Sequence, residues 1–142
     1  WMVQMLKDLE AGKGTELDDI LVHICRDLWV LMAELATLPE NRSKLVDGKT
    51  RVTSEMVEKL EHMIDSLDER FVPPTDFVVP GQNKVSALLD VGRTVARRAE
   101  RHSLDAAPPP SQACPYLNRL SDLLWTLARW QEGVSLPVKD VK

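Results

Sequence analysis

Apolar residues along this chain recur at intervals of three and four, the spacing of one helical face. Leu17, Ile20, Leu21, Ile24, Leu28, Leu31 and Leu35 form the longest such series, predicting a helix from near Thr15 to about Leu38, where Pro39 ends it. Met2 to Leu9 reads as the tail of an earlier helix, stopped around Gly12 and Gly14. Pro39 to Arg51 is polar and without periodicity, so it reads as a loop. A further helix begins near Thr53 or Ser54, either of which suits an N-cap, and turns Met56, Leu60, Met63, Ile64 and Leu67 inward. Pro73 and Pro74 close it.

Asp76 to Pro80 is a short extended segment leading through Gly81-Gln82-Asn83 into a helix from about Lys84 to Ser103. A proline-rich loop, Asp105 to Pro115, precedes the last helix, from about Tyr116 to Trp130, with its Leu117, Leu120, Leu123, Leu124 and Leu127 side. The residues after it read as a tail. Phe77-Val78-Val79 is the nearest thing to a strand, and no period-two pattern is convincing. The expected architecture is all-α, a bundle of four or five helices in a single domain spanning residues 1–142.

Composition narrows the function classes. The 142 residues carry a formal charge of −4, which argues against a dedicated nucleic-acid binder. No apolar run approaches the ~20 residues of a membrane span. Cys25 and Cys114 stand far apart without metal-ligand spacing and read as reduced thiols, and His23, His62 and His102 are scattered. No Ser-His-Asp pattern, Walker loop or G-x-G-x-x-G is present, so the chain offers positioning and charge stabilisation rather than a nucleophile of its own.

Two helices carry unusual polar patterns. On the 84–103 helix, Leu88, Val91, Gly92, Val95 and Ala99 share one face, and Arg93, Arg97 and Glu100 fall within about 60° of each other opposite them. Residues 93–101 hold four arginines against one glutamate, a pattern suited either to gripping a polyanion or to a solvated face with Glu100 relieving Arg97 at i, i+3. On the last helix, Asn118, Asp122, Trp125 and Arg129 share a strip about 60° wide. Asn118 suits a ribose or base edge and Asp122 suits an arginine of the neighbouring helix; the alternative is a plain polar rim.

Three segments in order, Phe77-Val78-Val79-Pro80-Gly81, Arg93 to Arg101, and Tyr116-Leu117-Asn118-Arg119-Leu120-Ser121-Asp122-Leu123-Leu124, resemble the PduO-type ATP:cob(I)alamin adenosyltransferases. Glu34-Leu35-Ala36-Thr37, Leu60-Glu61 and Ile64-Asp65 are weaker echoes, and the resemblance runs from Gly14 to Trp130. It implies an enzyme in which cobalt(I) of cobalamin attacks the 5′ carbon of ATP and triphosphate departs, the nucleophile belonging to the corrinoid. By position it implies ATP contacts for Arg93, Arg97, Glu100 and Asn118, and corrinoid contacts for Asp122 and Phe77. Phe77 matches the aromatic that displaces the lower axial base and leaves a four-coordinate cobalt(II). Catalytic roles fall to Arg97, Phe77 and Asp122.

The same resemblance implies Mg2+ bridging the triphosphate, a homotrimer with sites between subunits, a cobalamin reductase and an adenosylcobalamin-dependent enzyme as partners, and a cytoplasmic or organelle-matrix location. A non-catalytic relative that holds ATP or adenosylcobalamin, as a sensor or chaperone, is the alternative. Departures are the family's T-G-D-x-G-x-T loop, which has no counterpart here, Pro80-Gly81-Gln82 in place of Pro-Gly-Gly, and a short proline-rich loop before Tyr116.

Overall fold

A computed structural model describes residues 15–142; the expected helix tail at Met2 to Leu9 lies outside the described residues. The first described helix, α1 (Glu16–Leu35), starts where Thr15 accepts a hydrogen bond from the Asp18 amide. It ends three residues earlier than the sequence suggests. Ala36 caps it, the Thr37 hydroxyl donates back to the Ala33 carbonyl, and Pro39 opens a 3-10 turn (Pro39–Lys44) instead of merely breaking the helix. Leu17, Leu21, Ile24 and Leu31 are buried and Ile20, Leu28 and Leu35 pack against them, so the expected inner face holds.

Helix α2 (Ser54–Asp68) takes Thr53 as its N-cap, the Met56 amide donating to the Thr53 hydroxyl at 3.3 Å. Helix α3 (Lys84–Ser103) has the boundaries the sequence predicts, because Asn83 and Ser86 form a reciprocal capping box. Helix α4 (Ala113–Glu132) begins before Tyr116. Pro115 sits in its first turn, where a missing N–H breaks no helical hydrogen bond, so it belongs to the helix rather than to the loop.

Helix α4 is the centre of the bundle, with buried positions on most of its circumference, and packs against α2 and α3. Tyr116 is buried in it and donates to Asp27 Oδ2 of α1 at 3.1 Å. Burial and that adjacent carboxylate push the Tyr116 hydroxyl pKa far up, so it stays a neutral donor. Glu34, also buried, accepts from the Val52 amide at 2.7 Å and from the Ser111 hydroxyl, tying both long connections to the end of α1.

Two expectations need correction. The buried apolar side chains of α3 are Leu89 and Ala96, and of the Leu88–Ala99 series only Gly92 is buried; Val91 is 48% exposed and Leu88, Val95 and Ala99 are partly covered. The helix is rotated so that Arg93 and Glu100 border the buried face rather than oppose it. Second, a strand exists: β1 (Val78–Val79) pairs antiparallel with β2 (Leu136–Pro137), Val78 opposite Pro137 and Val79 opposite Leu136. The supposed tail is thus paired backbone, followed by a 3-10 turn at Val138–Asp140.

Candidate functional site

Helices α3 and α4 run side by side, and the expected polar residues meet along their seam. Arg97 Nη1 donates to Glu100 Oε2 at 2.6 Å, and Asn118 Nδ2 donates to Glu100 Oε1 at 2.9 Å. Each oxygen of one carboxylate therefore holds a different side chain, one from its own helix and one from the neighbour. Arg119 Nη2 donates to Asn118 Oδ1 at 2.6 Å and lies 2.8 Å from Asp122 Oδ2. The result is a continuous relay, Arg97–Glu100–Asn118–Arg119–Asp122. Asp122 orients an arginine of its own helix, not one from α3 as expected. Arg97 is 46% exposed, so its remaining donors are accessible to a ligand, whereas Glu100 is largely buried.

One turn earlier on α3, Arg93 faces a cavity of about 620 Å³. Thr75, Asp76, Phe77, Val78 and Pro80 form one side, and Asp90, Arg93, Trp125 and Arg129 the other. Phe77 and Arg93 thus line one cavity, whereas Arg97, Glu100, Asn118 and Asp122 lie on the adjoining seam outside it. The Phe77 ring is 91% exposed, an apolar group held out at the cavity mouth.

The wall behind Arg93 is ionic. Arg129, 2% exposed, pairs with Asp90 across the helix seam and lies 3.1 Å from Glu132 Oε2. Its Nε is near that oxygen without hydrogen-bond alignment, and Arg93 Nε is likewise 3.5 Å from Asp90 Oδ1. The Arg129 guanidinium also lies 5.8 Å from the Trp125 ring centroid. Glu132 reaches onward, accepting from the Gln82 amide at 3.3 Å and from Ser135 Oγ at 2.7 Å.

Sequence reasoning missed Asp90 and Glu132 and placed Arg129 on a polar strip of the last helix. The available signal was pairing at i, i+3, Asp90 with Arg93 and Arg129 with Glu132. Burial of Arg129 depends on where α3 arrives, which no pattern within α4 encodes. Among the described residues no group of three or more His, Cys, Asp or Glu is placed to hold a metal ion, and no helix is long and apolar enough to cross a membrane.

The chain matches the family model described as cobalamin adenosyltransferase over residues 2–131. It is 38% identical over 120 residues to a corrinoid adenosyltransferase of Mycobacterium leprae, covering 80% of this chain and 63% of that protein. A corrinoid adenosyltransferase of Citrobacter freundii is 39% identical over 125 residues, covering 86% and 69% respectively. Among solved structures, a variant PduO-type ATP:corrinoid adenosyltransferase from Lactobacillus reuteri, complexed with cobalamin and ATP, superposes with a TM-score of 0.78. That likeness has 25% identity and covers 99% of this chain and 78% of the other. The chain spans about three fifths of the length of the mycobacterial relatives it matches. A match over nearly all its residues, together with relatives of this identity, places the chain in the cobalamin adenosyltransferase family.

Proposed function

We propose that this protein transfers the 5′-deoxyadenosyl group of ATP to the reduced corrinoid cob(I)alamin, releasing inorganic triphosphate. The observation that carries the reading is the divided Glu100 carboxylate, which fixes Arg97 and Asn118 at once from two helices. The names and bound ligands of the relatives point the same way.

The reduced corrinoid supplies the nucleophile, so the protein's work is alignment and charge. Arg93 and Arg97 stand one turn apart, about 6 Å along the helix axis, a spacing suited to successive phosphates. Charge accumulates on the triphosphate as the carbon–oxygen bond breaks, and preorganised guanidinium donors stabilise it there most. Glu100 limits the rotamers open to Arg97, so less freedom is lost when the anion arrives. Asn118 is the polar reader of the nucleoside, held by Glu100 on one side and Arg119 on the other. Phe77 supplies an apolar surface beside the corrinoid that excludes water and offers no ligand atom to its metal. Asp122, through Arg119, supports the corrinoid end of the relay.

A magnesium ion accompanying ATP would be held through the nucleotide rather than by protein carboxylates, and would neutralise charge on the departing triphosphate. A homotrimer whose sites lie between subunits belongs to the same reading, and the half-covered apolar face of α3, with Val91 48% exposed, leaves surface for contact with another copy. A cytoplasmic location, with a cobalamin reductase supplying cob(I)alamin and an adenosylcobalamin-dependent enzyme receiving the product, completes the reading.

The decisive assay is anaerobic conversion of chemically reduced cobalamin with ATP and magnesium, followed by loss of cob(I)alamin absorption. Adenosylcobalamin and triphosphate are expected in equal amounts. Arg97→Ala should lower the rate by roughly 100-fold, the scale for removing one aimed donor. ATP binding without any product would replace this reading with that of a non-catalytic binder.

A further inference from the structure

Phe77 poses a mechanical question, because a ring 91% exposed is held by no packing of its own. Its placement must come through the backbone, and the residues that hold that backbone lie about sixty positions away. The Val138 amide donates to the Phe77 carbonyl at 2.8 Å. On the preceding residue, Asp76 Oδ2 accepts from Lys139 Nζ at 2.7 Å. On the following residues, Val78 and Val79 pair with Pro137 and Leu136. Phe77 is therefore gripped on both flanks and at its own carbonyl by one four-residue stretch. The far end of the same loop is tied to the end of α4, where Gln82 donates to Glu132 and Asn83 Nδ2 donates to the Gln131 carbonyl at 3.0 Å.

We propose that Leu136–Lys139 is a positioning clip for Phe77, with the Val138 N–H and the Lys139 ammonium as its two working groups. The inference rests on the adenosyltransferase reading for its consequence, though not for its geometry. None of the four residues lines the cavity shared by Phe77 and Arg93, so their effect on a corrinoid bound there acts through Phe77. The charge on Lys139 persists beyond the ordinary lysine range, since the Asp76 hydrogen bond and charge raise its pKa. Lys139 accordingly carries its charge at neutral pH.

Val138→Pro removes the clip's central hydrogen bond with little other disturbance. Val138 is the first residue of a 3-10 turn, where proline is tolerated. Pro137 before it has ψ 140, the extended backbone that a residue preceding proline requires. Lys139→Met is a second, independent variant that breaks the ion pair and keeps the backbone N–H of Val138. Two readouts separate the clip from the function it serves. The first needs no corrinoid: chymotryptic cleavage between Phe77 and Val78, which requires that segment to leave its pairing. Cleavage should accelerate roughly three- to tenfold in Val138→Pro, the range expected for one net hydrogen bond.

The second readout is the absorption spectrum of bound cob(II)alamin in the presence of ATP, which distinguishes base-displaced from base-bound cobalt. The ratio of displaced to bound forms should fall by a similar three- to tenfold, with ATP affinity within twofold of the parent. In a Phe77→Ala background the clip variants should cause no further fall. Unchanged cleavage in both variants would overturn the clip itself. Faster cleavage with an unchanged spectrum, or spectral losses that add to those of Phe77→Ala, would overturn its role toward Phe77. A parent protein that never displaces the base would instead count against the adenosyltransferase reading, while the cleavage readout still decides whether the clip holds the segment.

Discussion

Replacing Arg129 with methionine tests the ionic wall of the cavity most directly. The guanidinium is 2% exposed and stands between Asp90, itself 10% exposed, and Glu132, whose side chain is fully covered. Methionine fills similar volume, so the variant chiefly removes charge and leaves two buried carboxylates without their shared cation. Removing one partner of a buried pair costs about 3–5 kcal/mol, most of it the desolvation of the charge left behind. For a chain of this size, each kcal/mol lowers the thermal midpoint by roughly 2–4 °C, giving a fall of roughly 6–20 °C. Urea unfolding at neutral pH measures the same quantity through the shift in midpoint at constant slope. The companion variant adds Asp90→Asn and Glu132→Gln to Arg129→Met. Neutral amides need no counter-charge, so the triple variant should recover much of the loss, a strong departure from additivity. A loss below about 1 kcal/mol in the single variant, or losses that simply add, would refute the idea that Arg129 is held as a charge rather than as packing.

Glu100→Gln keeps an oxygen for Asn118 but gives up the charge that holds Arg97; the Kd for ATP by calorimetry should weaken roughly three- to tenfold, and Glu100→Ala should weaken it further. Tyr116→Phe deprives the buried Asp27 carboxylate of a donor and should lower stability to urea by about 1–3 kcal/mol. Thr53→Ala removes the N-cap of α2 and should cost about 1 kcal/mol in the same assay. Glu16, hydrogen-bonded by Arg70, is held below its ordinary pKa of 4.5, so its contribution is present above that value and lost as pH falls through the lowered one. The stability difference between the parent and Glu16→Gln, read by thermal melts, should therefore be flat from neutral pH down to about 5, vanish under acid, and shrink in high salt.

Most of the bundle was legible because apolar spacing reports directly on burial. The inner faces of α1, α2 and α4 follow the three-four rhythm, and the start of α3 follows from the Asn83 cap. What could not be read depends on partners distant in sequence. Two residues at Leu136–Pro137 carry no periodicity, and only their meeting with Val78–Val79 makes them a strand. Helical angles placed Arg129 among polar neighbours, and it took the arrival of Asp90 from α3 to bury it. Pro115 falls at the end of the expected loop because the pattern does not show which proline sits in a first turn. Within the site, the resemblance indicated Arg93, Arg97, Glu100 and Asn118 as a group; the structure brings the last three into direct contact and leaves Arg93 one turn away on the cavity. Asp122 is the exception: a preference for its own helix neighbour Arg119 outweighs any reach toward α3.

The pairing of β1 with β2 also bears on the order in which the molecule assembles. Joining Val78 to Pro137 closes a loop of roughly sixty residues for the return of two residue pairs. Closing so long a loop costs conformational freedom that so few contacts repay poorly. The same loop already contains α3 and α4, whose contact is between chain neighbours and forms with little closure cost. The bundle seam, with its arginines, is therefore expected to be in place before the Phe77 segment is fastened. In the native state two residue pairs at the edge of the bundle are expected to lie at the low-stability end of the described residues, opening locally while the helices stay shut. Amide exchange at Val78 and Val79 would then measure how often the mouth of the cavity stands open, a rate that sets an upper bound on any process needing that opening.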